Sequence, residues 1–182
     1  MKHLFIKYKS VIQFILTFLG VYIVLSLSYK FYLDYSNKSS SADYITSQVA
    51  KQSESLIGVT GYEAQVLPHP NEPSIKILVN DKYIGRVIEG CNSISIIVLF
   101  VSFIIAFKGK WKTTLLYLLV GSVLIYIVNL IRIVILSIGL YEYPEKEKLL
   151  HTVIFPLIIY GMVFLLWMFW VNRFKTLNPK NE

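Results

Sequence analysis

The sequence contains a single cysteine, Cys91, among 182 residues. A lone cysteine cannot form an intrachain disulfide, so its thiol is free. The three histidines, His3, His69 and His151, are too scattered along the chain to match the spacing of a metal site. The chain also lacks a glycine-rich phosphate loop, and no segment repeats. The sequence therefore predicts neither a metal ion nor a cofactor.

Acidic residues are absent from four long apolar runs, at residues 11–28, 92–107, 113–140 and 149–171. Hydrophobic residues make up 55% of the chain, above the roughly 45–50% typical of soluble domains. A helix needs about 20 apolar residues to cross about 30 Å of hydrocarbon. The second run is short, so we expect Val87 and Ile88 to extend it. The pattern predicts an all-α membrane protein with four transmembrane helices.

Charge is distributed unevenly between the segments that connect these runs. The two termini and the loop at 108–112 carry nine basic residues against one acid, Glu182. The segments 29–90 and 141–148 carry eight basic and ten acidic residues. Cytoplasmic segments are enriched in Lys and Arg, so both termini are predicted to be cytoplasmic. The formal charge of +7 thus reflects topology, and nucleic-acid binding is not expected.

The runs divide the chain into four parts. Residues 1–33 are predicted to form the first transmembrane helix, 34–90 an external α+β cap, 91–173 a three-helix transmembrane core and 174–182 a cytoplasmic tail. The first run can also be interpreted as a cleavable signal peptide that ends in small residues. We favour a retained helix, because bulky aromatic residues follow at once. Cleavage would not change the orientation of the remaining spans.

Short-range patterns predict the elements of the cap. Residues 39–41 and Asp43 resemble a capping box, and residues 45, 49, 52 and 56 recur at helical spacing before a stop at Gly58. The segment 67–73 is rich in helix and strand breakers and predicts a loop. Two β-type runs, 74–79 and 82–88, flank Asn80-Asp81 and predict a hairpin. The second strand is expected to lead straight into Cys91.

Three polar residues are expected to meet at one depth of the membrane. Cys91 and His151 each lie at the outer start of an apolar run. Arg132 lies nineteen residues after Thr113, which is about 28 Å along a helix at about 1.5 Å per residue. That distance nearly crosses the hydrocarbon, so three different helices would present a thiol, a guanidinium and an imidazole near the outer boundary.

Each of these residues also has a structural interpretation. A membrane cysteine is usually a small apolar filler, and a histidine at a helix start is usually interfacial. An arginine inside a span usually faces the bundle and pairs with another group. No run contains an acid, and the polar neighbour on the same helix is Asn129, one turn earlier. Gly90 is expected to permit a sharp turn and close approach of another chain, and Glu89 is expected to face water.

A cation beside a thiol has a chemical use. It stabilises the thiolate, which is the nucleophilic form of cysteine, and it can stabilise the oxyanion formed when that thiolate attacks a carbonyl. An imidazole can carry protons to a leaving amine and from an incoming nucleophile. The hypothesis is therefore a catalytic set of Cys91, Arg132 and His151.

In order along the chain, the runs Gly90-Cys91-Asn92-Ser93 and Asn129-Leu130-Ile131-Arg132-Ile133, followed by His151, resemble the core of the exosortase/archaeosortase family. The resemblance covers about residues 74–170. The short chain with its lone N-terminal span is most similar to the compact exosortase F type of Bacteroidetes-group bacteria. Larger members have more spans, and they commonly have Cys-Ser-Gly where this chain has Cys91-Asn92-Ser93.

The resemblance implies a cysteine transpeptidase or protease of the bacterial inner membrane, with its active site facing the periplasm or exterior. It would cleave C-terminal sorting signals, each with a short motif, a hydrophobic helix and a basic tail, through a thioester. Cys91, Arg132 and His151 would be catalytic, and Gly90, Asn92 and Asn129 would support them. A small accessory membrane protein would supply missing helices. The substrate motif and the acceptor stay open.

Two other functions fit the residues themselves. The chain can be a non-enzymatic scaffold or assembly subunit of an export system, in which Arg132 pairs with an acidic residue on a partner helix. It can also be an accessory protein of a transporter or channel, in which the arginine marks an anion path. The reactivity of the Cys91 thiol distinguishes these two functions from that of an enzyme.

Overall fold

The computed structural model describes residues 8–36, 42–107 and 109–177. The five long helices are α1 (Lys9–Ser36), α2 (Tyr44–Val59), α3 (Ile94–Ala106), α4 (Trp111–Glu142) and α5 (Phe155–Leu177), and the strands are β1 (Ala64–Pro68), β2 (Ile75–Val79) and β3 (Lys82–Val87). A 3₁₀ turn, Glu89–Cys91, precedes α3. Short helical turns, of which the last is the π-helical turn Leu150–Ile154, lead into α5. His3, residues 39–41 of the predicted capping box and the end of the predicted tail lie outside the described residues.

Within the described residues, three helical segments are long and apolar enough to cross a membrane, namely α1, α4 and Pro144–Arg173. These segments contain three of the four predicted spans. Helix α3 has 13 residues, which is about 20 Å at about 1.5 Å per residue and shorter than the hydrocarbon. The expected extension by Val87 and Ile88 is wrong. Val87 pairs with Ile75 in the sheet, and Ile88 lies before the 3₁₀ turn.

Helix α1 continues past its predicted end at residue 28 to Ser36 and has no buried residue. It packs along α3. Phe14 makes edge contacts with the rings of Phe103 and Phe107, at centroid distances of 5.6 and 4.8 Å. Because α1 lies on one side of the bundle, most of its surface remains exposed, as expected for a helix that contacts lipid.

The sheet of the cap is antiparallel, with strand order β1-β2-β3. The hairpin predicted around Asn80-Asp81 is present, and these residues have positive φ values of 47° and 62°, as a two-residue type I′ turn requires. The structure adds a strand that the sequence analysis missed. Residues 67 and 68 of the predicted loop belong to β1, and Pro68 is compatible with a strand because it lies on an edge of the sheet.

Helix α2 begins at Asp43, whose Oδ1 accepts hydrogen bonds from the N–H groups of Ile45 and Thr46 at 2.9 and 3.1 Å. The helix stays close to its predicted bounds, but its buried face is shifted. The buried side chains are Thr46, Val49, Ala50, Ser53 and Ile57. Of the four residues that recur at helical spacing, Val49 is buried, whereas Gln52 and Leu56 are exposed, because the small polar residues of α2 find hydrogen-bond partners inside.

The interior has two clusters of buried apolar residues. The cap-side cluster joins α2 and the sheet to α4 through Val49, Ile57, Val79, Val87 and Ile133. The far-side cluster joins α3, α4 and α5 through Phe100, Ile104, Ile125, Val163 and Trp170. The cap-side cluster therefore fixes the cap on the end of the bundle that carries Cys91, Arg132 and His151.

Candidate active site

Cys91 lies in a turn between the sheet and α3. It ends the 3₁₀ turn Glu89–Cys91, in which its N–H donates to the Ile88 carbonyl at 2.8 Å. Two residues later, Ser93 adopts the left-handed conformation with φ 67° and precedes the first residue of α3. The expectation that β3 runs straight through the cysteine into the next helix is wrong: β3 ends at Val87, Cys91 belongs to the 3₁₀ turn that follows, and the left-handed Ser93 separates that turn from α3. This turn leaves the Cys91 side chain half-buried.

Asn92 is fully buried and anchors this turn. Its Nδ2 donates to Tyr29 Oη at 2.7 Å and to Thr46 Oγ1 at 3.1 Å, and its Oδ1 accepts from the Ile94 N–H at 3.1 Å. One side chain thus joins α1, α2 and the start of α3. Because its donors and acceptor are occupied by the protein, Asn92 supports the site as a structural residue.

Gly90 does not have the role that the sequence analysis gave it. Its φ is not positive, because Gly61 is the one glycine with positive φ within the described residues. A Cβ at Gly90 would meet only Ile88 Cδ1, at 3.9 Å. Neither a strained turn nor a close contact within this chain therefore requires glycine here, and the approach of another chain stays a prediction. The neighbouring Glu89 is exposed, as expected.

Asn129 connects α4 to the Cys91 turn. Its Nδ2 donates to the Cys91 carbonyl at 2.8 Å, and it is fully buried. The bond fixes Cys91 beside α4 at a point one turn before Arg132. Asn129 Oδ1 has no hydrogen-bond partner within the described residues. The pairing of Asn129 with Arg132 that the sequence suggested is therefore not formed.

Arg132 is only 5% exposed, and its guanidinium lies over an aromatic ring. The Cζ atom is 3.5 Å from the centroid of the Phe155 ring, within the range of a cation–π interaction. Arg132 also interacts electrostatically with Cys91 and Tyr160. Its Nε and Nη2 atoms are buried without a hydrogen-bond partner among the described residues. A buried cation with free donors is poised to receive an anion or a polarised carbonyl oxygen.

His151 lies in the π-helical turn Leu150–Ile154. The Phe155 N–H donates to the Leu150 carbonyl, five residues earlier. The next residue is Pro156, which has no N–H to continue the α-helical pattern and so favours such an irregular turn. The His151 ring stacks on Phe155 at a centroid distance of 5.6 Å and an angle of 25°. Phe155 therefore contacts both the imidazole of His151 and the guanidinium of Arg132.

One cavity brings two of the three predicted catalytic residues together. It has a volume of about 470 Å³ and is bordered by both Cys91 and His151. Its walls are β3, the cap-side end of α4 and the segment around the π-helical turn. Arg132 does not border it and lies behind Phe155, which does. We call this space the Cys91 cavity.

The sequence analysis missed several residues of this arrangement. Phe155 gave no signal, because one aromatic residue in an apolar run is unremarkable. Tyr29 and Thr46, the partners of Asn92, belong to a predicted span and a predicted cap helix that nothing in the sequence brings together. Glu147 borders the Cys91 cavity, but the sequence analysis treated it only as one of the charged residues of a loop. Among the described residues, no three His, Cys, Asp or Glu side chains form a group able to hold a metal ion.

Comparison with known proteins gives one match. The family model described as transmembrane exosortase matches residues 5–172, which is nearly the whole chain. The chain matches no curated protein and no solved structure. The matched range includes all six residues that the sequence analysis assigned to the site.

Proposed function

The chain belongs to the transmembrane exosortase family, and from this premise we propose that it cleaves the C-terminal sorting signals of exported proteins through a thioester on Cys91. Family membership makes it a multi-pass membrane protein and indicates a membrane transpeptidase role in general. The residues and steps below are our proposal. One observation carries it: Cys91 and His151 border the same cavity. In support, Arg132 is buried with free donors, one helical turn after Asn129, whose side chain donates to the Cys91 carbonyl.

The first half of the reaction forms the thioester. His151 accepts the proton of the Cys91 thiol, and the thiolate attacks the carbonyl carbon of the scissile peptide bond. The carbonyl oxygen becomes an oxyanion. The positive charge of Arg132, which lies behind Phe155 and outside the cavity lining, stabilises it electrostatically. The tetrahedral intermediate then collapses. The C–N bond breaks, and His151 returns the proton to the leaving amine of the C-terminal fragment.

The second half releases the substrate from the enzyme. An external amine or water attacks the thioester carbonyl and loses a proton to His151. Arg132 again stabilises the oxyanion, and the C–S bond breaks. His151 returns its proton to the Cys91 sulfur, so the enzyme regains its starting state. An amine acceptor gives transpeptidation, and water gives hydrolysis.

The fold supports a particular membrane arrangement. We propose that both termini are cytoplasmic and that α3 crosses the membrane in addition to the three longer helical segments. The cap then faces the exterior of a bacterial inner membrane. A substrate helix with a basic cytoplasmic tail would lie beside these spans, and its outer end would reach Cys91. Because α3 is short, a small accessory membrane protein would complete the bundle. The short chain agrees with the exosortase F type.

The decisive experiment replaces the sulfur atom. A reporter protein is fused to a C-terminal signal from a membrane protein of the same genome, and its processing is followed by mass change on gels. Cys91→Ser and Cys91→Ala should abolish processing and leave the membrane insertion of the enzyme intact. Trapping of a reporter–enzyme adduct that hydroxylamine releases would identify the thioester. Processing at the normal rate by Cys91→Ala would rule out the proposed function.

A non-enzymatic scaffold is the second candidate, and the free Nε and Nη2 atoms of Arg132 favour it. In that role the arginine would bind an acidic residue of a partner helix. Thiol alkylation separates the two functions. In an enzyme, a membrane-impermeant alkylator should label Cys91 faster than a model thiol near neutral pH, and Arg132→Ala should slow this reaction. A scaffold predicts ordinary or no labelling, and a partner whose co-purification depends on Arg132.

A further inference from the structure

The two edges of the cap sheet differ. On the β1 edge, the Val66 N–H donates to Glu54 Oε1 of α2 at 2.9 Å, so a side chain occupies this edge. On the other edge, β3 pairs with β2 alone among the strands that the structure describes. An unoccupied strand edge offers a row of backbone donors and acceptors to another extended chain. The β3 edge is therefore the one available for pairing.

The Cys91 cavity runs along β3, the strand at this available edge. The consecutive residues Tyr83, Ile84, Gly85, Arg86 and Val87 all border it. The cavity also touches Ile77, which is opposite Gly85 on β2. It therefore extends along the length of β3, from the hairpin side to Cys91, beside the edge that no other described strand occupies.

The register shows which backbone groups point into the cavity. The Asn80 N–H donates to the Glu63 carbonyl, on the β1 side, at 2.7 Å. The backbone of the adjacent Val79 therefore faces β3, where Val79 pairs with Lys82. Because backbone groups alternate along a strand, the N–H and C=O of the next residue, Tyr83, point away from β2. They face the outer edge.

Two further features distinguish this part of β3. The pairing of β2 with β3 shifts between Ile77 and Leu78, a bulge that leaves Ile84 without an opposite residue, and glycine within a strand commonly accompanies a bulge. A Cβ placed on Gly85 would meet no atom within 4 Å, so one face of the sheet is open here. This open space is part of the Cys91 cavity, so no side chain of β3 fills the cavity at this point.

We propose that the outer edge of β3 binds the substrate as an added β-strand. This inference rests on the proposed function. The occupant is the extended segment on the N-terminal side of the cleaved bond, because that segment lies on the cap side of the membrane. Strand β3 runs toward Cys91, so a segment whose last carbonyl reaches the sulfur must run parallel to β3. Recognition is through the backbone and tolerates different side chains.

The test uses two thiol-reactive peptides and the full-length protein in lipid nanodiscs. Acetyl-tetraalanyl chloromethyl ketone presents only a peptide backbone, and Cys91 displaces its chloride. The control reagent carries methyl groups on its two central amide nitrogens, and chloroacetone measures the reactivity of the thiol itself. Because backbone groups alternate along a strand, one of the two methylated nitrogens would face β3. The unmethylated peptide, which keeps that hydrogen bond, should therefore alkylate Cys91 about two- to tenfold faster than the methylated peptide.

Two matched proline variants locate the binding edge. Tyr83→Pro removes an N–H from the outer edge of β3 and should reduce the rate ratio of the two peptides toward one. Ala64→Pro introduces the same ring on the β1 edge, away from the cavity, and should leave the ratio unchanged. If Tyr83→Pro fails to fold, the comparison of the two peptides on the unaltered protein still tests whether the enzyme recognises the peptide backbone.

The outcomes separate the two proposals. Equal rates for the two peptides, with Cys91 alkylated by chloroacetone, would overturn strand addition and leave the nucleophile in place. A Cys91 that reacts with none of the three reagents would overturn the proposed function, and the inference with it. An unchanged ratio in folded Tyr83→Pro would show that the peptide does not bind along β3.

Discussion

The cap-side half and the far-side half of the bundle bury different kinds of groups. The far side is filled by aromatic and aliphatic side chains such as Phe100, Ile104 and Trp170. Its buried hydroxyl groups, on Ser102 and Thr114, donate to carbonyls of their own helices. The cap side buries Asn129 and Arg132, which both retain atoms without a partner among the described residues.

This difference concerns charge as well as pairing. An unpaired polar group inside a protein costs stability, and an unpaired charge costs most. The far side also leaves the neutral indole N–H groups of Trp167 and Trp170 without a partner among the described residues, whereas the cap side leaves part of the Arg132 guanidinium unpaired. Exceptions of this kind are commonly found at functional sites, which agrees with the site that we propose around Cys91. Substitutions in the two halves should therefore change different properties.

After loss of the Cys91 sulfur itself, the largest effect on activity is expected from Arg132. Arg132→Leu removes the charge, and loss of one oxyanion donor typically lowers the rate by about 10²–10³-fold. Reporter processing should fall by that order, while the thermal unfolding midpoint of the purified protein stays the same or rises, because a buried unpaired charge has been removed. Arg132→Lys controls for charge alone. Full processing by Arg132→Leu would break the proposed contrast between the two halves.

The largest effect on stability is expected from Gly121 on the far side. A Cβ at this position would clash with the Phe100 ring, and overpacking of a core typically costs about 1–3 kcal/mol. Gly121→Ala should lower the thermal unfolding midpoint, measured by the intrinsic fluorescence of the protein in detergent. Processing per folded molecule should remain normal. Adding Phe100→Leu should restore much of the lost stability, because leucine is smaller than the phenylalanine ring with which the new Cβ clashes.

A smaller effect on stability, in the opposite direction, is expected from replacing Ser93. This residue holds φ 67°, a left-handed conformation that costs a non-glycine residue about 1–2 kcal/mol. Ser93→Gly should relieve that strain and raise the unfolding midpoint. It forfeits the hydrogen bond from Ser93 Oγ to the Asn92 carbonyl at 2.5 Å, so the net gain is below the full strain. Ser93→Ala loses the hydroxyl and keeps the strain, and it should be the least stable of the three.

The smallest effect is expected at the surface of the cap. The Tyr62 hydroxyl donates to Glu142 Oε1 at 2.9 Å, and this hydrogen bond raises the pKa of Tyr62 above 10.0. The unfolded chain therefore loses its Tyr62 proton at lower pH than the folded chain does. The contribution to stability is present below pH 10 and is lost as the pH rises through the folded pKa. Tyr62→Phe should make the unfolding midpoint depend less on pH, measured from pH 9 upward.

How much the sequence predicts depends on whether a feature is local or tertiary. The hairpin at Asn80-Asp81 follows from a two-residue signal, and the long helices follow from apolar runs. Strand β1 was missed because a strand ending in Pro68 carries the same local signal as a loop. The buried face of α2 was misjudged because Thr46 and Ser53 are buried through hydrogen bonds, to Asn92 and to the Val49 carbonyl.

The candidate site shows the same limit. Cys91, Arg132 and His151 are chemically unusual for their positions, so they stand out in the sequence. Phe155, which lies between Arg132 and His151, is one of 11 phenylalanines and has no such mark. The sequence gives equally little indication that Ser93 adopts a left-handed conformation. The resemblance places this residue where larger family members commonly have glycine, which agrees with its left-handed backbone. Contacts across helices determine these features, and the order of residues does not report them.

The π-helical turn at His151 has a consequence for how this chain can vary. A π-helical turn contains one residue more than the α-helical turn it replaces. Deletion of a single residue between Leu150 and Ile154 would restore a regular helix. Every residue before the deletion would then rotate by about 100° relative to α5, since each residue of an α-helix turns the chain by that angle. The direction in which the imidazole points therefore depends on the length of this segment as much as on its composition. In an alignment, a one-residue gap here would be as informative as the loss of the histidine.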